Sequence, residues 1–179
     1  MSILKIARMG HPVLRKRARE LSAAEIRRPS TQKLIDDMIE TMREYRGVGL
    51  AAPQVHEGVR IFVAALDEPA DDERHEADLH PVVLINPEIV PVGSAMVQDW
   101  EGCLSIPDLR GIVPRPREIN VRALDRNAKK LEFGAKEFTA RVAQHELDHL
   151  DGVLFIDRMK SFETLTFLEE YSRYWMSRD

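Results

Sequence analysis

The sequence predicts an α+β fold in which short, mostly antiparallel strands pack around one central helix. Three observations predict it. Residues 82–133 divide into short extended runs punctuated by Gly93 and by prolines. From about Lys136 the apolar period becomes helical. No repeat, low-complexity segment or linker divides the 179 residues, so residues 1–179 are expected to form a single domain.

The elements follow in order. The first twenty residues are basic, with Arg15, Lys16, Arg17 and Arg19 close together, and read as a solvated arm or first helix. Ser30 or Thr31 is placed to cap a helix that runs to about Tyr45, with Leu34, Ile35, Met38, Ile39 and Met42 on one face. Gly47 ends that helix. Residues 59–66 read as a largely buried strand. Residues 67–80 are rich in Asp and Glu and carry no β-branched residue, so an exposed loop is expected. Residues 82–86 and 88–92 read as two strands broken by Pro87, and residues 95–100 as extended chain. Pro107, Pro114 and Pro116 are expected to break the next stretch into turns and short pieces. Residues 119–124 alternate as a half-buried strand does, and a turn at 125–130 leads into residues 131–133. The helix after Lys136 turns Phe138, Val142, Leu147 and Leu150 toward a core and stops at Gly152. A last short helix spans roughly 162–174.

Composition excludes several classes. The chain carries 26 Lys and Arg against 30 Asp and Glu, a net charge of −4, which argues against a nucleic-acid partner. One cysteine, Cys103, excludes an internal disulfide and any zinc site built on cysteine pairs. No stretch approaches the roughly 18 apolar residues of a membrane span. The N-terminal ten residues lack the apolar core of a secretory signal. A soluble cytoplasmic protein is expected, with no membrane partner.

The strongest chemical signal is His145-Glu146-Leu147-Asp148-His149. Helix positions i and i+4 project from one face, so both imidazoles reach one metal ion. Glu146 lies between them, placed to act as base toward a water at that metal. Two histidines do not complete a site. A third His six residues further on is ruled out, because that position is Phe155. Glu169 stands twenty residues after His149 in a predicted helix, the spacing from which one class of metalloprotease draws a carboxylate. Cys103 competes with it. It sits between Gly102 and Leu104, where the chain can turn sharply, and Glu101 and Ser105 make its setting polar. A thiolate with two imidazoles leaves a fourth position open, the pattern of a catalytic centre, and suits zinc or ferrous iron. The motif alone leaves Glu169 and Cys103 both open.

A third segment is Gly47-Val48-Gly49-Leu50-Ala51-Ala52-Pro53-Gln54. It lacks the Gly-Lys-Ser/Thr ending of a phosphate loop. Its small residues permit close approach of another backbone, and the Gln54 amide can face a developing oxyanion.

Taken together, Gly-Val-Gly-Leu-Ala-Ala-Pro-Gln, Glu-Gly-Cys-Leu-Ser and Gln-His-Glu-Leu-Asp-His resemble the three signature motifs of the peptide deformylase family, in the right order. Gly10-His11-Pro12-Val13-Leu14 is also similar to the family, and the resemblance covers roughly residues 3–160. It implies removal of the formyl group from the N-terminal formyl-methionine of nascent polypeptides. Carried over, Cys103, His145 and His149 bind one divalent metal, and Glu146 is the general base and acid. Gln54 and the backbone N–H of Leu104 stabilise the oxyanion. Gly47, Val48, Gly49 and Leu50 pair with the substrate backbone as an added strand. The family commonly uses Fe(II), with Zn(II) or Ni(II) able to replace it. Val48 and Val142 are expected in the methionine pocket. Glu101 and Arg115 are expected to pair and hold the cysteine loop, and Asp148 to orient a ligand. Some bacterial members end in a long basic helix that docks on the ribosome. Here residues 161–179 are short and mixed in charge, which argues against ribosome docking through the tail. Its aromatic residues are expected to pack on the body or against a second copy in a homodimer.

Overall fold

The computed structural model describes residues 2–66 and 81–176; the acidic stretch expected as a loop at 67–80 lies outside them. The chain mixes helices with two antiparallel sheets. A five-stranded sheet has the order β1-β2-β3-β6-β7, formed by Gly49–Ala51, Ile61–Ala64, Val82–Pro91, Glu118–Leu124 and Lys130–Lys136. A three-stranded sheet has the order β4-β5-β8, formed by Met96–Cys103, Ile106–Pro116 and Thr166–Phe167. The helices are α1 (Ala23–Ile26), α2 (Pro29–Glu44), α3 (Glu137–Leu150), α4 (Phe155–Arg158) and α5 (Leu168–Tyr174).

Strand β2 explains the layering. Its Ile-Phe-Val-Ala run is buried on both faces. Phe62 and Ala64 face a core shared with Leu84, Ile119, Val121 and, from α3, Ala140, Ala143 and Leu150. Ile61 and Val63 point the other way, into a core with Ile85 and with Ile35, Met38 and Met42 of α2. The large sheet is thus covered by α3 on one face and α2 on the other. A third cluster of Leu14, Ile106, Val113, Leu154 and Phe155 lies under the small sheet.

Several expectations are corrected. The basic N-terminus is neither a free arm nor one helix. It is an extended segment with a 3-10 turn at Pro12–Arg15, and Ala7, Leu14 and Ala18 are buried. Its backbone is tied down: the Ser2 and Leu4 N–H groups donate to Asp37 and Thr41 of α2, and those of Ala7 and Met9 donate to the carbonyls of Gln54 and Ser105. Helix α2 starts earlier than Ser30 or Thr31. Pro29 occupies its first turn, where a missing N–H costs nothing, and Thr31 instead donates to the Glu25 carbonyl. The two strands expected around Pro87 are one strand, β3. Asn86 adopts φ 51° and the register to β6 shifts between Ile85 and Glu88, so Pro87 sits in a bulge.

The prolines at 107, 114 and 116 do not break β5, which runs unbroken for 11 residues. The Ile112 N–H donates to Thr164, and the Pro116 carbonyl accepts from Gln144, so alternate residues of β5 direct their polar groups away from β4. Pro114 and Pro116 share that outer edge, where no ladder hydrogen bond is lost. Phe138 is exposed rather than in the core, and Leu147 is only half-buried. The expected last helix divides into a 3-10 turn (Phe162–Thr164), strand β8 and α5.

Candidate metal centre

Strand β7 runs directly into α3, which packs against strands of both sheets and carries His145, Glu146 and His149. The register of β4 on β5 shifts between Glu101 and Cys103, so the chain bends at Gly102 and brings Cys103 to the same helix. The donor atoms of Cys103, His145 and His149 all lie within 4.8 Å of one another, and Cys103 Sγ is 3.2 Å from His149 Nε2. Metal bonds of about 2.0–2.3 Å put tetrahedral donors roughly 3.3–3.7 Å apart, so a small drawing-together around an ion suffices.

The surrounding groups fit a metal. His145 Nδ1 is 2.9 Å from Glu101 Oε2, and because a carboxylate only accepts, Nδ1 carries the proton and Nε2 is left for an ion. His149 Nδ1 and Glu146 Oε2 are buried without a hydrogen-bond partner among the described residues. Cys103 Sγ accepts from the Ser105 N–H at 3.4 Å and from Gln54 Nε2 at 3.5 Å. Burial opposes its ionisation, but His149 and His145 outweigh burial and hold the thiol well below its ordinary range. Burial likewise opposes a charged His145, yet Cys103 and Glu101 raise it well above the usual imidazole range. Both shifts favour charge on this pair, and an ion bound there would compete with protons.

Glu146 is different. Burial raises its carboxyl to about 7, against the opposing pull of His145 and His149. A group that titrates near neutrality can take and return a proton. Its carboxylate lies against Gly49 of β1, where a Cβ would approach Glu146 Cδ to 2.8 Å. Strand β1 is the edge of its sheet, paired only with β2, and Gly47, Val48 and Gly49 line a groove of about 650 Å³ with Cys103, His145 and Glu146. Leu50 points into the α2 core instead. Gln54 is buried; its Oε1 accepts from the Ala51 N–H at 2.8 Å, which aims Nε2 at Ser105 Oγ and Cys103. Leu104 lines the groove beside Cys103.

Arg115 does pair with Glu101, by two contacts of 2.9 Å, and also binds Asp148 at 2.5 Å. Asp148 thus turns to Arg115 and Arg158 rather than to a histidine. Sequence reasoning missed Arg141, which donates to Glu101 at 2.7 Å and to the carbonyls of Val113 and Val97. Its position four residues before His145, on the same helix face, was the available signal. Trp100 and Leu168, which also line the groove, were missed as well. Glu169 lies on α5, exposed and paired with Arg173 at 3.1 Å, away from the donor cluster.

Three convergent donors with a buried carboxylate beside them, in a groove bounded by a strand edge, define the metal-dependent hydrolase class. Residues 3–164 match the polypeptide deformylase family model, and the chain belongs to that family. It is 42% identical over 169 residues to peptide deformylase 2 of a Nostoc species, covering 94% of this chain and 93% of that protein. It resembles the Met-Ala-Ser-bound peptide deformylase of Acinetobacter baumannii with a TM-score of 0.80 and 39% identity, over 89% of this chain and all of that one. The peptide deformylase of Thermotoga maritima superposes with a TM-score of 0.79 at 38% identity, over 90% of this chain and all of that one.

Proposed function

We infer that this chain is a metal-dependent hydrolase that removes the formyl group from the N-terminal formyl-methionine of newly made polypeptides. The observation that carries the reading is the convergence of the Cys103, His145 and His149 donors on one point in a groove that the buried Glu146 carboxylate also lines. Cys103, His145 and His149 hold one divalent ion, Fe(II) by the habit of the family, with Zn(II) or Ni(II) able to replace it. A bound ion supplies Lewis acidity and lowers the pKa of water.

The chain's own residues do the rest. The open edge formed by Gly47 and Val48 and by Gly49 and Leu50 of β1 receives the peptide backbone as an added strand. Gln54 Nε2 and the Leu104 N–H donate to the formyl oxygen as negative charge builds there. Glu146 accepts a proton from the attacking water and returns it to the departing amine nitrogen. Glu101, held by Arg115 and Arg141, keeps His145 in the tautomer that presents Nε2. Val48 and Val142 border the methionine side chain.

Residues 1–179 act as one catalytic domain with α3 as its central helix. Among the described residues no helix is long and apolar enough to cross a membrane. The working place is the cytoplasm, where nascent chains emerge from the ribosome, and a homodimer is a further expected assembly. The test is anaerobic loading with Fe(II), Zn(II) or Ni(II), metal analysis, and release of formate from formyl-Met-Ala-Ser. One equivalent of metal with formate release is the expected result. Metal-loaded protein that releases no formate would overturn the reading.

A further inference from the structure

The family match ends at residue 164, yet the chain beyond it is stitched to the groove. Strand β8 pairs with β5 at Leu109 and Arg110, continuing from the last matched residue, Thr164, whose hydroxyl accepts from the Ile112 N–H at 3.2 Å. Leu168 at the start of α5 lines the groove together with Trp100 and Arg110. The half-buried Trp100 ring is flanked by Tyr171 at 4.9 Å and Trp175 at 5.4 Å, both in tilted geometry. A tryptophan steadied by two aromatic neighbours offers a large apolar surface at little further cost in side-chain entropy.

We propose that residues 165–176 belong to the substrate-recognition apparatus: Leu168 and the Trp100 ring, fixed by Tyr171 and Trp175, form an apolar wall that selects large apolar side chains downstream of the formyl-methionine. The proposal rests on the deformylase reading above. The formyl end is placed at Cys103, His145 and Glu146, and the methionine side chain beside Val142 of α3. A peptide added to the β1 edge advances about 3.3 Å per residue, so its later side chains need a different surface. Trp100 of β4 and Leu168 of α5 supply one. Leu168 is a specificity-determining residue, and Tyr171 and Trp175 are positioning residues acting through Trp100.

The chain's two tryptophans, Trp100 and Trp175, are both in this cluster, so intrinsic fluorescence reports on the wall itself. In metal-loaded Glu146→Gln protein, formyl-Met-Leu-Ser should change that fluorescence saturably, at lower concentration than formyl-Met-Ala-Ser. In protein with Glu146 intact, kcat/KM for the Leu peptide should exceed that for the Ala peptide. Leu168→Ala and Trp175→Ala should each cut that ratio by about 5-fold, chiefly through KM, a small effect for a wall open to water. Phe162→Ala, an exposed aromatic outside the groove lining, should leave the ratio alone. A silent tryptophan signal with both peptides, or a ratio unmoved in both wall variants at unchanged melting temperature, would overturn the wall while formate release still upheld the deformylase. Absence of formate release from the unsubstituted protein would overturn both.

Discussion

Cys103, Glu146 and Glu169 each carry a distinct expectation. Cys103→Ala should abolish tight metal binding, because two imidazoles alone hold a divalent ion weakly, whereas Glu169→Ala should leave metal content unchanged. Glu169 is exposed and already engaged with Arg173, so nothing holds it toward the cluster. Metal analysis after dialysis decides, and the reverse pattern would restore the protease ligand set. Glu146→Gln keeps volume and ligands but removes the proton acceptor, so turnover should fall by roughly 10²-fold with metal retained. A well-loaded variant that keeps most of its activity would place the base elsewhere. At this scale the site was largely legible in the sequence, since the i, i+4 histidines, the cysteine between small residues and the glutamine amide each announce a chemistry. Arg141 was less so: its spacing from His145 puts it on the same helix face, but a buried arginine is recognised by what surrounds it. Its partners are Glu101 and three carbonyls from β4 and β5, some 28 to 44 residues away in the chain.

Elements matter through how closely they approach. Strand β1 touches α3 at Gly49, where an added Cβ would collide with the Glu146 carboxyl. Gly49→Ala should therefore displace the base and lower turnover by about 10²-fold, the cost of a roughly 1 Å misplacement, while metal content and melting temperature stay near those of the unsubstituted protein. Wild-type turnover in that variant would mean the carboxylate tolerates the shift. The join between β5 and α3 is ionic. Arg115 reaches Glu101 and Asp148, and all three are buried. Arg115→Met leaves two buried carboxylates short of a partner, which costs about 3–5 kcal/mol in comparable pairs. Arg141 and Arg158 still hold them, so denaturant unfolding should show a loss at the lower end of that range. No measurable loss would show that those two arginines suffice alone. The strand map explains why sequence reading failed where it did. Pro87, Pro114 and Pro116 look like breakers when read locally. Their tolerance depends on a bulge and on an outer strand edge, and edges exist only once strands have paired. The N-terminal segment was misread for the same reason, since its hydrogen bonds go to α2, Gln54 and Ser105 rather than to its own neighbours.

Across the whole molecule the two sheets meet at a groove lined by Gly49 of β1 and by residues 100–103 of β4. Its lining includes Gln54 and Glu146, only 2% and 4% exposed, and the third donor residue, His149, is 1% exposed. That shape decides which acyl groups fit. A formyl group carries only hydrogen beyond its carbonyl, whereas an acetyl group adds a methyl where the water must approach. One methyl-sized misfit in an enclosed site is worth roughly 1–3 kcal/mol, about 10- to 200-fold in rate. An internal peptide bond is worse placed, because the chain preceding it would need room beside Gln54, Glu146 and His149, which leave little exposed surface. Deformylation of formyl-Met-Ala-Ser should therefore far outpace hydrolysis of acetyl-Met-Ala-Ser, and an internal-peptide substrate should survive intact. Preference for the methionine side chain itself should be graded, since an apolar pocket discriminates by volume rather than by any buried polar group left unpaired. Mass spectrometry of the three incubations reads all of this at once. Cleavage inside the longer peptide at a rate near that of deformylation would mean that these buried side chains give way in solution, and the burial of Gln54, Glu146 and His149 would then no longer account for the choice of substrate.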